Sequence, residues 1–155
     1  SFYTENKKKK NKFFAESYIT AKTYLQNNNT EKATEDYKLK HDVLFNTLFK
    51  REKLGSTSVG NGIAIPHGLI DSFRECKCII SVLSNGIDFD SFDNSYVDLI
   101  FLLLMPKSNN IEHLQILASI SRLLRNSELT NKLRGCNNAE SAIAILSKII
   151  EDKAA

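Results

Sequence analysis

The chain of 155 residues has no tryptophan, one methionine, two prolines and only three cysteines. An odd number of cysteines, without the regular spacing of a small secreted domain, argues against a disulfide framework and favours a reducing compartment. No apolar stretch approaches the roughly 20 residues that a membrane-spanning helix requires. The N-terminus is charged without an apolar segment behind it, which argues against a secretory leader. We therefore expect a cytoplasmic protein that does not insert into a membrane.

The charge balance is modest, because 21 basic and 18 acidic residues give a formal net charge of +3. This excess is too small to indicate a nucleic-acid partner. Much of it lies in a basic N-terminal segment, residues 1–10, which is typical of a solvated surface. With 42% apolar and 25% charged residues, the composition is that of an ordinary globular protein. We expect a single domain spanning residues 1–155 that needs no disulfide or metal for stability.

Hydrophobic periodicity predicts an alternation of helices and short strands. Apolar residues recur at helical spacing in four segments, which are residues 10–26, 36–53, 111–124 and 139–150. Apolar or β-branched runs predict three strands, which are residues 63–65, 76–83 and 97–105. We expect the last two strands in the centre of the sheet. Short strands between substantial helices indicate an α/β fold with a mixed central β-sheet flanked by helices on both faces.

Three histidines are present, so each can be considered individually. His41 lies in the second predicted helix between two charged residues, which is typical of a solvated surface residue. His67 follows a strand and Pro66 and precedes Gly68, so that proline fixes the backbone and glycine leaves space beside the imidazole. Such a position suits a nucleophile that must meet another protein's active site. It equally suits a histidine that is hydrogen-bonded within a turn.

His113 lies in the first turn of a predicted helix, where a histidine usually has no chemical role. If its ring faces His67, it can donate a hydrogen bond to a phosphoryl oxygen, and the nearby helix N-terminus favours an anion. Neutral imidazole is an adequate nucleophile near neutral pH because its unperturbed pKa is about 6.5. Arg51, Ser56 and Thr57 are further candidates for an anion site, although each has an alternative role at a helix end or in a turn.

Metal and nucleotide sites are the competing interpretations. Cys76 and Cys78 would point to the same face of one strand, where a histidine could join them at a zinc ion. However, the chain has no Cys-x-x-Cys pair, and cysteine in an apolar strand is usually a small buried residue. The glycine-rich stretch before His67 lacks the Lys-Ser/Thr ending of a P-loop. We therefore expect no metal and no cofactor.

Three segments together resemble the signature of enzyme IIA of the bacterial phosphotransferase system, of the mannitol, fructose and nitrogen type. They are Arg51-Glu52, Gly55-Ser56-Thr57 and Gly62-Ile63-Ala64-Ile65-Pro66-His67-Gly68. The resemblance continues through residues 97–101 and 113–118, and it covers the chain from about residue 38 to its end. It implies that His67 is the phosphorylated residue and His113 its active-site partner. It also implies a phosphotransferase with a mixed sheet flanked by helices, and a small HPr-like phosphocarrier protein as the donor.

Residues 87–94, followed by Val97-Asp98-Leu99, are most similar to the nitrogen-regulatory branch of this family. Members of that branch are stand-alone proteins that report their phosphorylation state to regulatory target proteins. The chain departs from the branch at Tyr96, where proline is common, and it begins near the first family helix, apparently without the strand that usually precedes it.

The resemblance thus implies a nitrogen-type regulatory phosphocarrier. One alternative is a sugar-specific enzyme IIA for fructose or mannitol that passes phosphate to a transporter IIB domain. Another is an enzyme IIA-like regulatory domain of a transcription factor. In each case we expect His67 to be exposed to partners, with Ile65, Leu69 and Ile70 as apolar contacts around it.

Overall fold

The computed structural model describes residues 41–107 and 110–154. The basic segment 1–10, the predicted helix 10–26 and the start of the predicted helix 36–53 lie outside these residues. In chain order, the elements are α1 (His41–Glu52), β1 (Ser58–Gly60), β2 (Ile63–Ala64), β3 (His67–Ile70), β4 (Lys77–Ile87), β5 (Val97–Pro106), α2 (Asn110–Leu123), α3 (Ser127–Arg134) and α4 (Ala139–Ala154). None of the helices in this part of the chain is long and apolar enough to cross a bilayer.

The five strands form one mixed sheet organised around β5. On one side of β5, the short strands β2 and β3 run parallel to it, one after the other. On the other side, β4 runs antiparallel to β5. Beyond β2, on the first side, β1 extends the sheet by antiparallel pairing with β2. Helices and a mixed sheet in this order confirm the predicted α/β fold.

The core lies on and around β5. Every residue of this strand from Leu99 to Met105 is buried, as expected of a nearly continuous apolar run with neighbours on both edges. On one face, Leu44 and Leu48 of α1 belong to the same buried cluster as the strand residues. This packing fixes α1 against the sheet, and it therefore fixes the position of the residues at the end of α1.

The predicted strand at residues 76–83 is present as β4. Among the described strands it pairs with β5 alone, so its expected position in the centre of the sheet stays a prediction. Ile79 and Leu83 pack against the core, whereas Cys78 and Val82 are exposed. β-branched residues favour any half-buried strand, and they do not distinguish a central strand from an edge strand.

The chain divides into two compact units, residues 1–113 and 114–155. The first contains the sheet and α1. In the second, α3 packs against α4, and α3 buries Leu129, Thr130 and Leu133. Hydrophobic periodicity did not predict α3, although the side chain of Asn126 caps it by accepting a hydrogen bond from the Leu129 N–H at 3.2 Å. The extent of a single domain over residues 1–155 stays a prediction.

Candidate phosphoryl-acceptor site

His67 is the first residue of β3 rather than a residue beyond the end of a strand. Pro66 lacks an N–H and so interrupts the pairing with β5 between the end of β2 and the start of β3, yet its carbonyl still accepts from the Leu103 N–H at 2.9 Å. His67 then pairs with Leu103 in the ladder between β3 and β5. The backbone on both sides of the ring is therefore held by the central strand.

Both nitrogens of the His67 ring have hydrogen-bond partners. Nε2 accepts from the Nε–H of Arg51 at 3.1 Å. Nδ1 lies 2.9 Å from the carbonyl oxygen of Ile65. Because a carbonyl can only accept and the guanidinium can only donate, these partners assign the proton to Nδ1 and the lone pair to Nε2. The ring is thus held as one neutral tautomer.

The surroundings of His67 favour this neutral form. Partial burial of the ring lowers the pKa of His67 below its ordinary value of 6.5, and the charge of Arg51 acts in the same direction. The hydrogen bond to Ile65 and the negative charge of Glu52 raise the pKa and oppose this shift in part. The nucleophilic, unprotonated form of Nε2 therefore predominates at neutral pH.

Arg51 is held at the end of α1 by the turn that follows it. Its Nη1 donates to the carbonyl of Gly55 at 3.1 Å while its Nε donates to His67. Gly55 has φ +149°, a conformation that side chains disfavour, and its backbone ends the helix close to the guanidinium. Arg51 and His67 are therefore in direct contact, and the predicted role of Arg51 in an anion site stays a prediction.

Gly68 also has a structural role, but a different one from that expected. A Cβ atom at Gly68 would lie 2.7 Å from Cγ2 of Thr47 on α1. The absent side chain makes room for α1 rather than for the imidazole ring. This close approach brings the end of α1, with Arg51, next to β3.

The two hydroxyl candidates lie in the turn after α1, and both donate hydrogen bonds to other parts of the chain. Ser56 donates through Oγ to the carbonyl of Phe89 at 2.6 Å. Thr57 is buried, and its Oγ1 donates to the carboxylate of Glu52 at 2.7 Å. In this arrangement their hydroxyl protons are directed to Phe89 and Glu52, and their predicted contact with a phosphoryl group stays a prediction.

His113 lies in the first turn of α2, as predicted, and only 8% of it is exposed. This burial distinguishes it from a solvated surface residue. No hydrogen bond between His113 and His67 occurs within the described residues. Its role as the active-site partner therefore stays a prediction that rests on the resemblance. His41 is the first residue of α1, and its expected solvation also stays a prediction.

The expectation of an apolar surface around His67 was largely wrong. Ile65 is 4% exposed and Ile70 is 3% exposed, so neither is available to a partner, whereas Leu69 is partly exposed. Ile70 belongs to the core cluster with Leu44 and Leu48. Apolar residues beside a functional residue on a buried strand pack inward, and the sequence alone did not distinguish this from a docking surface.

The described residues also bear on the metal alternative. Within residues 41–107 and 110–154, no group of three or more His, Cys, Asp and Glu side chains is arranged to hold a metal ion. Cys76 and Cys78 are free thiols. Burial raises the pKa of the Cys76 thiol, which disfavours the thiolate that a metal would bind.

Residues 8–149 match the family model described as phosphoenolpyruvate-dependent sugar phosphotransferase system, EIIA 2. The chain belongs to this family. A nitrogen regulatory protein of Bradyrhizobium diazoefficiens is 42% identical to it over 104 residues, which are 67% of this chain and 68% of that protein. The similarity to the nitrogen-regulatory branch is therefore confirmed, and EIIA membership implies phosphotransfer chemistry.

Two solved EIIA structures share the fold. The nitrogen regulatory protein IIA-Ntr of Neisseria meningitidis superposes with a TM-score of 0.66 at 36% identity, covering 70% of this chain and 75% of that one. IIA mannitol of Escherichia coli superposes with a TM-score of 0.61 at 20% identity, covering 85% and 87% of the two chains. The second likeness concerns the fold alone.

Proposed function

We propose that this EIIA protein is a cytoplasmic phosphohistidine carrier that accepts a phosphoryl group on His67 from an HPr-like phosphocarrier protein. We further propose that it acts as a nitrogen-type regulatory protein, whose phosphorylation state is read by a target protein. The observation that supports this best is the His67 ring, with Nδ1 bonded to the Ile65 carbonyl and Nε2 bonded to Arg51.

This geometry supports Nε2 as the nucleophile. The Ile65 carbonyl retains the proton on Nδ1, so the Nε2 lone pair is the one that attacks the incoming phosphorus. The new Nε2–P bond forms as the N–P bond of the donor's phosphohistidine breaks, and the donor imidazole leaves with that electron pair. Because the acceptor ring keeps its Nδ1 proton, the phosphorylated imidazole remains a good leaving group for the next transfer.

Arg51 has two successive roles in this mechanism. At rest its Nε–H bonds to the Nε2 lone pair, and this bond must open before phosphorus can approach. The guanidinium then stays next to the transferred group, where it can donate charge-assisted hydrogen bonds to the phosphoryl oxygens. We propose that His113 supports the same oxygens, a role that the family resemblance implies. We propose that Ser56 and Thr57 join it by redirecting hydroxyl protons that at rest are donated to Phe89 and Glu52.

The experiment is transfer from phosphoenolpyruvate through the general phosphocarriers, followed by mapping of the labelled residue. His67→Gln should abolish labelling, because the amide has no nucleophilic ring nitrogen. His41→Gln is the matched control and should label as the wild type does. Undiminished labelling of folded His67→Gln would contradict the proposal.

The second candidate function is sugar-specific transfer to a transporter IIB domain, which is favoured by the sugar phosphotransferase description of the family. An assay of the phosphorylated protein distinguishes the regulatory function from the sugar-specific function. Fast passage of label from His67 to a fructose or mannitol IIB domain would support the sugar-specific role. Retention of label in the presence of IIB, with target binding that depends on phosphorylation, would support the regulatory role.

A further inference from the structure

The carboxylate of Glu52, the last residue of α1, is hydrogen-bonded to the turn that follows the helix. Oε1 accepts from the backbone N–H of Thr57 at 3.1 Å, and Oε2 accepts from the hydroxyl of Thr57 at 2.7 Å. A carboxylate that accepts two hydrogen bonds from one residue fixes both the backbone and the side chain of that residue. Thr57 is 6% exposed, so water has little access to replace these bonds.

The hydrogen bonds continue from Thr57 to the ring of His67. The carbonyl of Thr57 accepts from the N–H of Ile65 at 3.0 Å. The carbonyl of Ile65 then lies 2.9 Å from Nδ1 of His67. Because Ile65 is 4% exposed, this route from Glu52 to Nδ1 runs through buried backbone, where linked hydrogen bonds strengthen one another.

Two consecutive residues at the end of α1 therefore act on the two nitrogens of the same ring. Arg51 contacts Nε2 directly, and Glu52 reaches Nδ1 through Thr57 and Ile65. We propose that Glu52 is a positioning residue that fixes the tautomer and orientation of His67 by holding the Thr57 and Ile65 backbone in register with the ring. Its importance for transfer rests on the proposed role of His67 as phosphoryl acceptor.

Glu52 acts on His67 in two ways that substitution can separate. The first is geometric, through the hydrogen bonds just described. The second is electrostatic, because its negative charge raises the pKa of His67 while burial and Arg51 lower it. Within the described residues, Arg51 and Glu52 are the charged groups that act on this ring. Glu52→Gln keeps an acceptor for Thr57 and removes the charge, whereas Glu52→Ala removes both.

The test is ¹⁵N NMR of the His67 ring in the unphosphorylated protein, with a pH titration of each variant. Wild type should show Nδ1 protonated and Nε2 unprotonated. Glu52→Gln should keep this tautomer but titrate at lower pH. Glu52→Ala should show an appreciable Nε2–H population and about fivefold slower phosphoryl transfer, since one well-oriented hydrogen bond contributes roughly 1 kcal/mol.

Glu151→Gln is the matched control, because Glu151 is exposed on α4 and the same change there should alter neither tautomer nor pKa. If Glu52→Ala does not fold, Thr57→Val provides the geometric test by deleting the hydroxyl bond to Glu52. The inference would be overturned if Glu52→Ala and Thr57→Val, where they fold, showed the wild-type tautomer of His67. It would also be overturned if His67 titrated in Glu52→Gln as it does in the wild type. Because this readout needs no phosphate, it is independent of whether His67 accepts label.

Discussion

The close approach between α1 and β3 gives a stability prediction that can be worked out from one contact. In Gly68→Ala, the new Cβ would lie 2.7 Å from Cγ2 of Thr47, well short of the 3.4–4 Å of ordinary contact. Gly68 does not have a positive φ, so alanine brings no backbone strain and the cost is steric. Overpacking of this kind destabilises by about 1–3 kcal/mol.

A second substitution, at Thr47, should relieve that contact. Thr47→Ser removes Cγ2 but keeps the hydroxyl that donates to the Val43 carbonyl at 2.7 Å. Alone it should cost less than about 1 kcal/mol, the contribution of one methyl group. Combined with Gly68→Ala, it should restore most of the lost stability, so that the two changes couple favourably by about 1 kcal/mol or more.

Urea unfolding of the four proteins, followed by circular dichroism, measures this coupling. Phosphoryl transfer should follow the same order, since displacement of α1 moves Arg51 away from His67. The reasoning would be refuted if Gly68→Ala were as stable as the wild type. Additive effects of the two substitutions would equally refute it, because they would show that Thr47 is not what Gly68 accommodates.

Four further predictions concern the site and the second unit. Arg51→Gln and His113→Ala should each slow labelling in rapid-quench assays while the label stays on His67, because both act on phosphoryl charge; wild-type rates in both would contradict the assigned roles. Since the folded-state pKa of His67 lies below 6.5, the unfolded chain binds the proton first as pH falls. The free energy of unfolding should therefore decrease below about pH 6.5, and a wild-type urea–pH profile in His67→Gln would contradict this source of the dependence. Asn126→Ala should destabilise α3 by about 1 kcal/mol through loss of its N-cap, seen as faster hydrogen exchange of α3 amides, and unchanged exchange would show that the cap contributes little. The phosphocarrier and the regulatory target should compete for the surface around His67, because added phosphoryl charge alters binding there; simultaneous binding at full affinity in a titration would exclude a shared surface.

The sequence was most informative where one physical effect dominates. The apolar run of β5 predicted a strand buried on both faces, because a strand that is covered on both faces has no solvated side for polar residues. The helical periodicity of residues 111–124 and 139–150 likewise predicted α2 and α4 to within a few residues at each end. The fold class followed from the order of these elements.

Features that depend on contacts between distant parts of the chain could not be predicted from the sequence. The neighbours of β4 among the described strands depend on which strands pair, and α3 has few apolar residues to produce a periodic signal. Ile65 and Ile70 were expected at the surface, although both are buried. Ile70 shares the face of β3 on which Gly68 meets α1, and Ile65 lies between β2 and β3. These errors arise because a local pattern does not specify its neighbours.

In the candidate site, some residues could be predicted from the sequence and others could not. His67 and Arg51 could be selected from residue type and resemblance, and the structure brings them together. Glu52 belongs to the same signature, but its role could not be predicted from the sequence. Its connection to His67 passes through backbone groups of Thr57 and Ile65. Hydrogen bonds through peptide groups leave no side-chain pattern in a sequence.

The proposed mechanism requires that Nε2 of His67 accepts the phosphoryl group. The most direct test is NMR of the ¹⁵N-histidine-labelled protein after transfer from its phosphocarrier, in which coupling between phosphorus and ring nitrogen identifies the bonded atom. We predict phosphorus on Nε2 of His67, with the proton retained on Nδ1 beside the Ile65 carbonyl. Phosphorus on Nδ1 of His67, or on any other residue, would contradict the account.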